Sequence, residues 1–190
     1  MRIGIDVDGV LVDFCQSYQS LIVRETGRDL FTPENNAANP SDWNWDAVAG
    51  YTPEEIGKIW TLITDSSSFW KDLKPLPGIR DALKRVNGHG HDVYYITNRP
   101  GKTAKGQTEL WLYRHGITVP TVLVAGDKGP IIKALDLEAF IDDRPDTMKK
   151  IPKQAPNCRM FVRDMSYNRI ELKGVERVAT FADFLKELKI

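Results

Sequence analysis

Two carboxylates stand two residues apart in Asp6-Val7-Asp8-Gly9-Val10, directly after the apolar run Ile3-Gly4-Ile5. In an extended turn, one of them can face a bound group while the other reaches past it. Polar groups recur at similar places along the chain: Thr97 and Asn98 after Val93-Tyr94-Tyr95-Ile96, Lys128 soon after Thr121-Val122-Leu123-Val124, and Asp142-Asp143 after Ala139-Phe140-Ile141. Phosphoryl transfer to water needs a nucleophile, a proton donor for the leaving alcohol and positive charge to hold the phosphate oxygens. Asp6 and Asp8 are candidates for the first two roles. Lys128 can neutralise phosphate charge, and the Thr97 hydroxyl and Asn98 backbone amide can donate hydrogen bonds to it. Carboxylates gathered at one sheet edge repel one another, so the set calls for a cation. Hard oxygen ligands, with waters and a phosphate completing an octahedron, suit Mg²⁺.

The elements that must position these groups alternate. Ile3 to Asp6 reads as a short buried strand, and Phe14, Tyr18, Leu21 and Ile22 share one face of the helix that follows. From about Gly27 to Trp45 the pattern dissolves into Pro33, Asn35, Asn36, Asn39 and Pro40. Thr52-Pro53-Glu54-Glu55 then combines an N-cap threonine, a proline at the first helical position and a glutamate at the third, so a helix should run through Ile56, Ile59, Trp60 and Ile63. A helix through Ile79, Leu83 and Val86 ends at Asn87-Gly88 and leads into the strand Val93-Thr97. Helices through Leu110 and Trp111, and through Ile131, Ile132 and Leu135, separate the strands at 121–124 and 139–142. Cys158 to Val162 reads as a further strand, and Thr180 caps a closing helix. The fold class is therefore α/β, Rossmann-like, a mostly parallel sheet with helices on both faces. In such sheets the carboxyl ends of the strands gather the reactive loops. Residues 1–13 and 72–190 are expected to form this core, with 14–71 as a small helical insert after the first strand motif.

The bulk properties exclude several function classes. At 190 residues the chain can bury one substantial core with an appendage. Lys plus Arg number 26 and Asp plus Glu number 26, which disfavours a long nucleic-acid groove. No apolar run reaches the roughly 18 residues of a membrane span, and no signal-like h-region follows Met1, so a cytoplasmic location is expected. Cys15 and Cys158 lack a CxxC spacing or a neighbouring histidine and read as buried free thiols.

Asp6 to Val10, Thr97, Lys128 and Asp142-Asp143 resemble, in order and in strand context, the four motifs of the haloacid dehalogenase-like phosphatases. Asp6 through Phe14, read as DVDGVLVDF, and Phe69 through Gly78, read as FWKDLKPLPG, are similar to the 5'(3')-deoxyribonucleotidases of that superfamily. The resemblance implies that Asp6 attacks phosphorus to form an aspartyl-phosphate, and that Asp8 protonates the leaving oxygen and later activates water. It implies phosphate binding by Thr97, Asn98 and Lys128, and Mg²⁺ ligation by Asp6, by the Asp8 backbone carbonyl and by an aspartate of the fourth motif. Asp143 is favoured as that direct ligand, with Asp142 behind it. The implied substrate is a small nucleotide, a nucleoside and foremost a deoxyribonucleoside monophosphate, enclosed by a helical cap whose aromatics, Phe14, Trp43 and Trp45, grip the base. No nucleic-acid or membrane partner is expected, and the oligomeric state stays open, a homodimer included.

Simpler readings compete at each position. A lone DxDG can be a turn or a fragment of a Ca²⁺ loop, but here the chain turns at once into the apolar Leu11, Val12 and Phe14 rather than supplying further oxygen ligands. Trp43, Trp45, Trp60 and Trp70 also suit plain packing. Gly101-Lys102-Thr103 resembles the end of a P-loop, yet the position needing glycine is Ile96. His89, His91 and His115 lack metal-ligand spacing and read as surface residues. Two other functions remain open: the same chemistry on another small phosphate ester or a nucleic-acid end, and a nucleotide-binding module without turnover. Asp6→Asn with full activity would remove Asp6 from the nucleophile role.

Overall fold

Alternating residues in the strands face two separate cores, and this sorting builds the molecule. The computed structural model describes residues 1–88 and 90–190, so the expectation for His89 falls outside the described residues. Six strands form one sheet in the order β3-β2-β1-β4-β5-β6: β1 Arg2–Ile5, β2 Asp92–Thr97, β3 Thr121–Val124, β4 Ala139–Asp142, β5 Arg159–Arg163 and β6 Val175–Val178. All neighbouring pairs are parallel. Ile3, Ile5, Tyr95, Ile141 and Phe161 point into one core. There they meet α4 (Ile79–Gly88), α5 (Ala104–Arg114) and α8 (Phe181–Glu187). Ile96, Phe140, Met160 and Val162 point into the other, against α6 (Gly129–Ala134) and α7 (Pro145–Gln154). The period of two puts adjacent strand residues on opposite faces, so both faces are covered as a parallel sheet requires. Gly4 lets the second core close over β1: a Cβ there would stand 2.6 Å from Leu137 and 2.7 Å from Phe140.

The chain leaves the sheet after β1 through a tight loop in which Leu11 and Val12 both donate to the Val7 carbonyl, at 2.9 and 3.1 Å. Val12 then bridges Pro75, and Leu76 donates to the Leu11 carbonyl at 2.9 Å, so the outgoing and returning segments are stitched together. Between them lie α1 (Phe14–Thr26), α2 (Trp45–Ala49), α3 (Pro53–Asp65) and a 3₁₀ turn at Trp70–Asp72. Asp13 caps α1 through the Gln16 amide, and Thr52 with Glu55 forms the reciprocal capping box expected for α3. Tyr18 donates to Asp46 at 2.6 Å, and Trp45 is buried against Phe31, ring centroids 4.6 Å apart.

Three features differ from the sequence expectations. β6 is an additional edge strand, whose central Glu176 and Arg177 are exposed and interrupt the apolar alternation. α2, not anticipated from the pattern, begins at Trp45, where the stretch read as irregular ends, and is stopped after one turn by Gly50 in the left-handed region. His115 is not a plain surface residue: its ring lies on Trp111, one turn earlier, with centroids 3.9 Å apart. Among the described residues no helix is long and apolar enough to cross a membrane.

Candidate active site

Four neighbouring strands deliver polar groups to one place because β2, β1 and β4 are adjacent and β3 flanks them. Asp6 follows β1, its amide tied to the Ile141 carbonyl at 2.9 Å, and Asp142 closes β4. Lys128, four residues beyond β3, reaches across both: its Nζ stands 2.6 Å from Asp6 Oδ1 and 2.7 Å from Asp142 Oδ2. All three are buried, with the lysine 6% exposed. Burial works to lower the Lys128 ammonium, but the Asp142 and Asp6 charges outweigh it and hold the group as a cation.

One lysine does not balance the carboxylates around it. Ligand oxygens of Asp6, Asp142 and Asp143 all fall within 4.8 Å of one another, and every one of the three residues is buried. Burial pushes the Asp6 carboxyl well above the usual carboxylate range; Lys128 opposes this, while Asp142, Asp143 and Asp8 add to it. Asp143 is pushed up to about 7 by burial and then by the Asp142 charge, against a hydrogen bond from Tyr167. Both oxygens of Asp142 are engaged, by Lys128 and by the Arg144 amide at 2.8 Å. Asp6 is engaged through Oδ1 and Asp143 through Oδ2, so these two residues keep an oxygen to offer. A cluster of hard oxygens with excess negative charge fits a divalent cation of the Mg²⁺ type. Gly9 lets the loop after β1 close on this cluster: its φ is +70°, and a Cβ there would stand 2.0 Å from Asp143 Oδ2.

Asp8 points elsewhere. Its carboxylate receives Arg99 Nε at 2.9 Å, Arg99 Nη2 at 2.8 Å and the Thr97 hydroxyl at 3.3 Å. The structure thus brings Asp6, Asp8, Thr97, Lys128, Asp142 and Asp143 together, with Asn98 exposed beside Thr97. The aromatics are distributed differently. Phe14 lies in a row with Trp60 on one side, centroids 5.8 Å apart, and Trp70 on the other at 6.0 Å. Trp43 is 42% exposed, meets the Tyr167 ring edge-on at 5.5 Å and carries the Arg144 guanidinium 5.0 Å over its face. Trp45, at 5% exposure, lies inside the aromatic packing of the insert. A cleft of about 260 Å³ opens beside the loop after β1, lined by Gly9, Phe14, Asn39, Arg163 and Ser166 among others.

Arg99, Tyr167 and Asn168 are site residues that the sequence pattern does not single out. Asn168 holds the Asp143 backbone carbonyl through its Nδ2 at 2.7 Å, while Tyr167 grips the side chain. Both come from a 3₁₀ turn at Ser166–Asn168 after β5, too short to leave a periodicity. Arg99 had one usable signal, an arginine two residues beyond the strand-end Thr97 and just ahead of Pro100.

Comparison with known proteins finds a family model and relatives that span the chain. The family model described as 5' nucleotidase, deoxy (pyrimidine), cytosolic type C protein matches residues 1–188. A protein of Oceanobacillus iheyensis named "Putative nucleotidase" is 31% identical over 191 residues, spanning 98% of this chain and 98% of the relative. A "Putative 5'(3')-deoxyribonucleotidase" of Chlorobaculum tepidum is 24% identical over 156 residues, spanning 78% and 72% of the two chains. The solved D,D-heptose 1,7-bisphosphate phosphatase from Burkholderia thailandensis superposes with a TM-score of 0.57 at 12% identity, over 98% and 97% of the two chains, a likeness of fold.

Proposed function

The chain belongs to the cytosolic type C 5'-nucleotidase family and is a phosphoric monoester hydrolase of the 5'-nucleotidase type, and from that premise we propose that it hydrolyses deoxyribonucleoside monophosphates through an aspartyl-phosphate on Asp6. The observation that carries this reading is Lys128, which follows β3 and spans Asp6 after β1 and Asp142 at the end of β4, with Thr97 on the strand between β3 and β1. A buried lysine in contact with a buried carboxylate aims that carboxylate and opposes the rise that burial imposes on it, and leaves cationic charge where a phosphate would sit.

In this mechanism an Asp6 oxygen forms a bond to phosphorus while the bond from phosphorus to the sugar oxygen breaks, and Asp8 gives its proton to that departing oxygen. Water then attacks the phosphorus of the acyl phosphate, Asp8 takes the water proton, and the Asp6 carboxylate is released with inorganic phosphate. Thr97, Asn98 and Lys128 hold the phosphate oxygens throughout. Asp6, Asp143 and the Asp8 backbone carbonyl would hold Mg²⁺, with Asp142 behind them, and the ion would supply charge stabilisation at the phosphoryl group.

The nucleoside is assigned to the side of the insert, 14–71, which we take as the cap over a core of 1–13 and 72–190. Phe14 borders the cleft beside the nucleophile loop, and a cleft of about 260 Å³ suits a small molecule rather than a polynucleotide. Trp43 is exposed and meets Tyr167, which in turn donates to Asp143 of the acidic cluster; Trp45 supports the cap from within. A cytoplasmic setting goes with this substrate. Phosphate release from a panel of ribo- and deoxyribonucleoside 5'- and 3'-monophosphates, beside sugar phosphates, tests the assignment. The highest kcat/KM should fall on a deoxyribonucleoside monophosphate, and a preference of 10-fold or more for a sugar phosphate would overturn it.

A further inference from the structure

Resting on the reading above, we propose that Arg99 is the positioning residue for Asp8, a buried fork that holds the proton-transferring carboxylate in its working orientation. The fork is complete. Nε donates to Asp8 Oδ2 at 2.9 Å and Nη2 to Asp8 Oδ1 at 2.8 Å, so two parallel bonds fix both the place and the plane of the carboxylate. The Arg99 side chain is 0% exposed, whereas Asp8 is 23% exposed. Arginine thus meets Asp8 from its buried side.

The guanidinium is itself held from two directions. Nη1 donates to the Thr108 hydroxyl at 2.9 Å, and Thr108 donates onward to the Ala104 carbonyl at 2.8 Å, tying the fork to the first turns of α5. The Trp70 ring lies 4.9 Å from the guanidinium carbon, and Trp70 is fastened in turn by its amide to Gln107 Oε1 at 2.9 Å and by its indole N–H to the Pro100 carbonyl at 3.2 Å. Nε and one N–H each of Nη1 and Nη2 are therefore bound to protein acceptors, and the side chain is 0% exposed. A phosphate ligand would need donors that reach the open site. This arrangement serves a neighbouring side chain, as bidentate arginine does where orientation matters.

The consequence is confined to proton transfer. An aspartate without the fork can turn about its own side-chain torsions, and a misplaced proton donor loses much of a contribution that is typically 10²–10⁴-fold. The loss should scale with how badly the leaving group needs a proton. The 5'-oxygen of a nucleotide leaves as an alkoxide unless it is protonated, whereas p-nitrophenolate leaves without help.

The test compares single-turnover release of the leaving group, the step before Asp8 acts on water, and steady-state KM for wild type, Asp8→Asn, Arg99→Lys and Thr108→Val on a deoxyribonucleoside 5'-monophosphate and on p-nitrophenyl phosphate, with Mg²⁺, and with folding checked by circular dichroism. Arg99→Lys keeps the charge but not the fork. It should lower the release rate from the nucleotide by roughly 10²-fold and from the aryl ester by less than about 10-fold, with KM little changed. Should Arg99→Lys fail to fold, Thr108→Val removes the Nη1 anchor and its link to the Ala104 carbonyl while leaving the fork in place, and it should lower the release rate from the nucleotide several-fold more than from the aryl ester. Equal losses on both substrates, or a loss confined to KM, would overturn the assignment and mark Arg99 as a structural or phosphate-contacting group. Failure of the underlying reading looks different: wild type itself would release no phosphate from either ester.

Discussion

Replacing Lys128 by methionine removes the cation of the buried cluster while nearly preserving the volume of its stem. The residue is 6% exposed, and its partners Asp6 and Asp142 are as deeply placed, so solvent cannot screen what is left. Removing one partner of such a buried pair costs about 3–5 kcal/mol, because a charge remains without compensation. For 190 residues at roughly 2.1 cal/mol/K each, the unfolding entropy near the midpoint is about 0.4 kcal/mol/K, and the cost converts to a fall in Tm of roughly 8–12 °C. The assay is thermal denaturation followed by circular dichroism in EDTA. Adding Asp142→Asn in the same chain should return part of the lost stability, since one of the uncompensated carboxylates is then neutral. A fall in Tm of less than about 2 °C for Lys128→Met would refute the reasoning, because it would mean that the cluster is solvated and the ion pair worth no more than a surface one.

Other perturbations separate stability from chemistry. Asp6→Asn should abolish turnover and raise the Tm of the EDTA-treated protein by about 2–5 °C, since burial already works against the Asp6 charge; a lower Tm would contradict this. Gly9→Ala should lose activity and metal response together, because the new Cβ would meet Asp143 Oδ2 at 2.0 Å; calorimetric Mg²⁺ titration reads the loss, and unchanged binding would count against the close approach. Tyr167→Phe should weaken Mg²⁺ half-saturation by about 10-fold, as it frees Asp143 from its orienting hydrogen bond. Thr52→Ala removes the capping box of α3 and should cost about 1 kcal/mol in urea denaturation while leaving kcat unchanged.

What the sequence discloses of this molecule follows from how local each cause is. The Thr52-Pro53-Glu55 cap, the β-branched and aromatic run of β2 and the turn at Asp6 to Val10 are each set by neighbours a few residues away, so their residue types announce them. The parallel sheet follows from the same local signals, because helices of these lengths between strands leave no other connection. β6 is opaque for the converse reason: its exposed centre carries Glu176 and Arg177, and its pairing with β5 is decided across space. The site shows the same division. Groups at the ends of apolar strands can be picked out in sequence, whereas Arg99 behind Asp8 and Tyr167 on Asp143 are known by partners 91 and 24 residues away. The tryptophans are the sharpest case. Trp43 and Trp45 are two residues apart, yet one lies open beside Tyr167 and the other is enclosed against Phe31, because α2 begins between them and turns their side chains apart.

The central claim is that Asp6 carries the phosphoryl group between substrate and water. The most direct measurement is acid-quenched single turnover of p-nitrophenyl phosphate labelled in its phosphate, whose leaving group needs no proton, using Asp8→Asn to slow hydrolysis of the intermediate, followed by digestion and mass spectrometry of the labelled peptide. The account predicts a transient, Mg²⁺-dependent acyl phosphate on the peptide bearing Asp6, absent from Asp6→Asn. Free phosphate released at the full rate by Asp6→Asn, or label recovered on any other residue, would contradict it.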